Sequence, residues 1–368
     1  MQQWYEVADP DSIDSPALLV YPERIKGNIQ LIKGMVDGHC ERLRPHVKTH
    51  KMIEVCRMMM EEGIEQFKCS TIAEAEMLAL VNAKDVLMAY QPVGPKLSRW
   101  GKLVRTYPNT EFSCVLDNPV ALDEMGAYAG KEKLRFSVYF DIDLGMGRTG
   151  ASLTVLEELC DHIDQHPLLT LKGVHGYDGH ISNPDVSIRK READESYRIL
   201  KEAVTYLQRR YPSPMDMVIG GSPSFSSHSL REDVVCSPGT FVFWDWGYRQ
   251  RVPDQKFDYA AVLLTRVIAV ISPIQICVDL GYKAVASDPP LPRVSFLNGD
   301  HIEVLFQSEE HMVLIVDDSQ KYPLGMVLYA VPTHICPTVN LYQQVSVISE
   351  GEVKKEWTVI ARNRKLSI

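Results

Sequence analysis

The sequence lacks several features that would each have named a class. Its eight cysteines, Cys40, Cys56, Cys69, Cys114, Cys160, Cys236, Cys277 and Cys336, form no Cys-x-x-Cys pair and share no repeated spacing. That argues against a disulfide framework. Runs such as FSCVLD and IQICVDL read as reduced cysteines acting as small hydrophobes in a reducing cytoplasm. No apolar run reaches about 18 residues, so no membrane-spanning helix is expected. The opening MQQWYEVADPDSIDSP has neither a basic nor an apolar signal region, so no secretory leader is expected. Positive charge is short: Lys+Arg is 39 against 48 for Asp+Glu, a net charge of −9. That deficit argues against nucleic acid and anionic membrane surfaces as partners. No repeat at a solenoid period and no low-complexity segment is present. The first apolar run, ALLVY, is followed by PERIK and not by a glycine-rich turn, which counts against a doubly wound dinucleotide fold.

What is present fits a folded chain with an ample core. Its 368 residues are 45 % hydrophobic and 24 % charged, which excludes disorder and coiled coil. Short apolar runs alternate with helical patterns from residue 17 to about 245. The expected strands are 17–21, 42–48, 66–70, 86–90, 111–116, 136–143, 171–177 and 215–221. Between them, Ile25, Ile29, Ile32 and Val36 make a helical stripe, and Thr71 with Glu74 makes a capping box. Eight strands alternating with helices predict a (β/α)8 barrel over residues 16–253. Beyond about 255, apolar runs come at short intervals between turns, which predicts a β domain formed by 254–368 together with 1–15.

Five segments carry chemistry. RPHVKTHK ends a predicted strand on cations. Alternation there would put His46, Lys48 and His50 on one face, and a lysine among positive charges suits Schiff-base chemistry. FDIDLGMGRTG places Arg148 in a glycine-rich loop. VHGYDGHISNPD gathers His175, Tyr177 and His180 at a strand end. VIGGSPSF sets Gly220, Gly221 and Ser222 after a late barrel strand, where backbone amides can hold a phosphate. PTHICPTVNL puts His334 and Cys336 one residue apart, so a strand would turn both the same way. An imidazole and a thiolate suit a transition metal, most naturally zinc. A Schiff-base amine, a phosphate cradle, ring contacts and a metal pair together suggest pyridoxal phosphate chemistry with an added metal.

As an ordered set these motifs resemble the D-threonine aldolase and D-serine dehydratase family, which shares the alanine-racemase-like, fold-type III architecture. The resemblance covers nearly the whole chain, from DSPALLVYPERIKGNI to PTHICPTVNL. It implies that Lys48 forms the Schiff base and that Arg148 and Tyr177 lie near the cofactor. It implies that Gly220, Gly221, Ser222, Gly239 and Thr240 hold the phosphate, the last two within SPGTFVFWDWGY. His334 and Cys336 would bind a divalent metal, zinc or manganese, and His180 and His46 are candidate bases. The implied activity is a lyase on D-β-hydroxy-α-amino acids, in a cytoplasmic homodimer. Retro-aldol cleavage to glycine and an aldehyde is the first expectation. A dehydratase acting on D-serine or D-3-hydroxyaspartate is the alternative. The clues divide: Cys in the second metal place resembles the dehydratases, and the following PTVNL resembles the aldolases. A racemase and a non-catalytic pyridoxal phosphate carrier are further alternatives.

Overall fold

Two sheets organise the chain in the computed structural model, which describes residues 3–299 and 301–368. Seven parallel strands form the first: Gln66–Cys69, Asp85–Met88, Glu111–Leu116, Phe136–Ile142, Leu169–Gly176, Asp216–Ile219 and Val235–Cys236. Its two edges are joined by the segment 43–46. Leu43 bridges Cys236 and His46 bridges Lys68, both in parallel. Arg44 N–H donates to the Cys236 carbonyl and Lys68 N–H donates to the Pro45 carbonyl. The segment therefore serves as the eighth strand and closes a barrel. Leu87, Val115, Tyr139 and Val218 from four of the strands pack in one buried cluster, as the layered interior of such barrels requires.

The other sheet has nine strands. The long strand Ala261–Ser272 pairs antiparallel with Ala17–Val20, Gln275–Val278 and Val327–Pro332. The chain divides into two compact units: residues 1–30 with 240–362 around this sheet, and 31–239 with 363–368 around the barrel. Tyr5, Val7 and Ile13 join Leu19, Val262, Leu264 and Tyr329 in the core of the β unit.

Two expectations about strands are corrected. The run 17–21 is not the first barrel strand. Ala17–Val20 lies between the Ala261–Ser272 and Gln344–Ser349 strands of the nine-stranded sheet. Leu18, Leu19 and Val20 are buried, so the run has no polar face to tell which sheet it enters. The final barrel strand, Val235–Cys236, has only two residues, too few to show a period. The expected count of eight survives because one strand too many at the start offsets one missed at the end.

Local signals held where side chains bond their own backbone. Thr71 caps the helix Ile72–Leu80 by accepting from Glu74 N–H. The Glu74 carboxylate reaches back to Ser70 N–H at 2.7 Å and also meets Lys51 at 3.1 Å.

Candidate active site

The chain turns at the C-terminal end of the closing segment, which corrects the expected strand 42–48. His46 N–H donates to the Pro238 carbonyl, and Val47–Thr49 then forms a single 3-10 turn. Where the ladder ends, a side chain takes over: His46 Nδ1 accepts from Lys48 N–H at 3.2 Å. Lys48 is thus presented from a turn, not from one face of a strand. His46 is buried, and burial together with the Lys48 charge holds its pKa well below the ordinary imidazole value. It is neutral, and its one acceptor nitrogen is used by the turn.

Lys48 borders a cavity of about 490 Å³ inside the barrel unit, shared with His46, Arg148 and Tyr177. The Tyr177 ring is the common reference: its centroid lies 5.6 Å from Lys48 Nζ and 5.1 Å from the Arg148 guanidinium carbon. Arg148 sits in a loop whose path depends on Asp143, which accepts from Gly145 and Gly147 N–H, and on Asp117, which accepts from Gly150 N–H at 2.7 Å. Gly150 has φ +109°, and a Cβ there would stand 2.4 Å from Asp143 N.

The glycine run adjoins the cavity through Tyr177. Gly220 has φ +84°, and a Cβ on Gly221 would come within 2.8 Å of the Tyr177 ring. Gly221 N–H donates to Ser224 Oγ and Gly239 N–H to Ser222 Oγ, both at a long 3.3 Å. A Cβ on Gly239 would lie 2.7 Å from the His46 carbonyl. Beside it, the Ser237 hydroxyl is buried without a hydrogen-bond partner. A lysine in the cavity, with weakly engaged amides and an orphaned hydroxyl reached through Tyr177 and His46 at its border, is a set of residues that fits pyridoxal phosphate.

His180 is not brought into this group. It is exposed, outside the cavity lining, with Nε2 about where a Gly145 Cβ would meet it. Thr240 belongs to the β unit, where Oγ1 lies 3.6 Å from Cys336 Sγ.

The metal motif is not a strand. His334 is the extended residue before the helix Ile335–Leu341, so Cys336 is helical. The turn is pinned by Asp245, whose carboxylate accepts from Tyr248 N–H at 2.7 Å and Ile335 N–H at 3.1 Å. His334 Nδ1 bonds Asp288 at 2.6 Å, which leaves Nε2 for a metal. His334 also engages Cys336. Burial lowers its pKa, but Cys336 and Asp288 outweigh that and push it up to about 9. Among the described residues no three His, Cys, Asp or Glu side chains form a metal cluster. The imidazole and thiolate fit a two-ligand site with positions open to water and substrate.

Sequence reasoning passed over two groups in the cavity, Lys68 and Asp141, which flank the His175 it had named. Lys68 lines it, with Nζ 3.3 Å from His175 Nε2, and His175 Nδ1 bonds Asp141 at 2.6 Å. All three are buried. The signal was a charge inside an apolar strand run, Lys68 in QFKCS and Asp141 in FSVYFDI, which only an inward-facing partner explains.

Residues 20–245 match the family model for the alanine racemase N-terminal domain, and residues 260–348 match one named "Putative serine dehydratase domain". The chain is similar to the 3-hydroxy-D-aspartate aldolase of Paracoccus denitrificans (strain Pd 1222), at 27 % identity over 97 % of this chain and 94 % of that one. It is similar to the D-threonine aldolase of an Arthrobacter species, at 25 % over 95 % and 93 %. Its fold superposes on the crystal structure of D-threonine aldolase from Filomicrobium marinum with a TM-score of 0.87, at 24 % identity and 95 % coverage of each chain. The barrel, its lysine turn and a family match spanning more than half the sequence lead to one conclusion: the chain belongs to the alanine racemase N-terminal domain family, beside relatives named as aldolases of 3-hydroxy-D-aspartate and of D-threonine.

Proposed function

We propose that this chain is a pyridoxal-phosphate- and divalent-metal-dependent lyase that cleaves D-β-hydroxy-α-amino acids to glycine and an aldehyde. The observation that carries the reading is Lys48, presented by a turn into a cavity it shares with Arg148 and Tyr177. Bound there, the cofactor supplies a sink for the electron pair left at Cα, and a metal supplies Lewis acidity at the β-hydroxyl.

The chain's own residues do the rest. Lys48 would hold the cofactor through its amine. Arg148 offers a guanidinium, near the Tyr177 ring, to an anionic oxygen. Gly221, Ser222 and Gly239 receive the phosphate, with Gly220 making the turn. His334 Nε2 and Cys336 Sγ would hold the metal, with Asp288 orienting the imidazole. In cleavage the β-hydroxyl loses its proton, its carbon becomes the aldehyde, and Cα gains a proton to give glycine. His46 serves by shaping the Lys48 turn, since its acceptor nitrogen is engaged.

Cys336 favours a second reading. In a dehydratase the Cα proton and β-hydroxyl leave as water, and hydrolysis then gives a keto acid and ammonia. The 27 % and 25 % identical aldolases support placing cleavage first. The working assembly is a homodimer, to be checked by sizing with light scattering. The compartment is the cytoplasm, a reading supported by eight cysteines that form no disulfide among the described residues.

The test incubates purified protein with pyridoxal phosphate and zinc or manganese, then with D-threonine or D-serine. Glycine and acetaldehyde from D-threonine, lost on chelation, are expected. Keto acid and ammonia would move the chain to the dehydratases. Racemisation that survives chelation would overturn both lyase readings.

A further inference from the structure

The cavity that holds Lys48 contains a second lysine, for which the proposed chemistry has no use. Lys68 rises from the strand Gln66–Cys69, fully inside the barrel. Its Nζ lies 5.7 Å from the Tyr177 ring centroid, against 5.6 Å for Lys48 Nζ. Burying an amine is costly unless something holds it, and here the holder is specific. Asp141 accepts from His175 Nδ1–H, which fixes the tautomer and leaves Nε2 to accept from Lys68. Burial first, and then the Lys68 charge, keep the His175 pKa below its ordinary value, so the imidazole is neutral and can accept.

We propose that Lys68 is a second cofactor-facing lysine, which sets the protonation of pyridoxal phosphate anchored at Lys48, with His175 and Asp141 as the residues that position its amine. The inference rests on the Lys48 reading. A fixed cation in a dry cavity opposes protonation of a neighbouring nitrogen, and a neutral amine does not. Lys68 can be either near neutrality: burial and then the Lys48 charge bring its pKa down to about 7, with Asp141 and Asp178 opposing. The groups around it are His46 and Lys48 from the turn, Arg44 from the closing segment, Tyr177, Asp141, His175, Asp178 and Cys236. Its charge thus changes near neutral pH.

The experiment follows the visible absorbance and fluorescence of bound pyridoxal phosphate against pH, without substrate. Wild type, Lys68→Met, Lys68→Gln and Lys68→Arg are compared, with folding checked by circular dichroism. Wild type is expected to show a step near pH 7. Lys68→Arg, which keeps its charge, loses that step. Lys68→Met or Lys68→Gln moves the protonation midpoint of the cofactor upward by roughly one unit or more. Identical titrations in wild type and all folded Lys68 variants would overturn the inference. Should Lys68→Met and Lys68→Gln both fail to fold, a retained step in Lys68→Arg alone overturns it. Lys48→Ala separates the two claims: a cofactor band that survives in Lys48→Ala contradicts the Lys48 reading, whatever Lys68 does.

Discussion

At the scale of single residues, buried charges carry the sharpest consequences. Arg44 is buried and gives its guanidinium to both oxygens of Asp85, at 2.5 and 3.0 Å, and to Gln66 at 2.6 Å. Removing the guanidinium leaves Asp85, which keeps partial access to water, without its partner. Arg44→Met is therefore expected to destabilise by about 1–3 kcal/mol in urea unfolding. Asp178 shows the pH side of the same physics. Burial raises its pKa, but bonds from His228 at 2.7 Å and Ser224 at 2.7 Å outweigh it, and the carboxyl sits below its ordinary value. A carboxyl depressed in the folded state contributes stability above its unfolded value of about 3.9, lost as pH falls through the folded value. Asp178→Asn is thus expected to cost most near neutrality, and its deficit should shrink below about pH 4. A deficit independent of pH would contradict this account. The candidate site was partly legible at this scale. Lys48, Arg148 and Tyr177 stood in motifs whose order is distinctive. Lys68 and Asp141 stood in strand runs, where a charge has meaning only once its partner across the barrel is known.

Elements show why some local expectations held and others did not. Thr71 caps its helix as expected, because a cap is a contact between neighbours in sequence. Thr71→Ala is expected to cost about 1 kcal/mol in stability, with no effect on the cofactor spectrum. The Lys48 turn and the His334–Cys336 turn were both expected as strands. Each is bent by partners distant in sequence: Pro238 and Lys68 for the first, Asp245 for the second. Alternation predicted a shared strand face that neither turn has, and His50 does not line the cavity with His46 and Lys48. The loop carrying Arg148 makes a test of its own. Gly150→Ala places a Cβ against the Asp143 backbone at a φ of +109°. It should weaken cofactor affinity at least tenfold, about 1.4 kcal/mol, while thermal unfolding of the apo protein shows the barrel still folded. Unchanged affinity would mean that the loop does not position Arg148 for the cofactor.

For the whole molecule, the order of motifs was more informative than their spacing. The barrel was legible from alternating strands and helices, although its first and last strands were misassigned. A fully buried run carries no mark of the sheet it joins, and a two-residue strand has no period. Binding of a ligand to the folded state alone stabilises it, by about 2.7 kcal/mol at a hundredfold excess over Kd. Pyridoxal phosphate should therefore raise the melting temperature of wild type and leave Lys48→Ala nearly unmoved. The central claim is that Lys48, and not its buried neighbour, anchors the cofactor. The most direct measurement loads the protein with pyridoxal phosphate, reduces it with borohydride and maps the labelled peptide by mass spectrometry. The account predicts a single pyridoxyl group on Lys48, within RPHVKTHK. A label on Lys68, or a reduced protein that carries none, would contradict it.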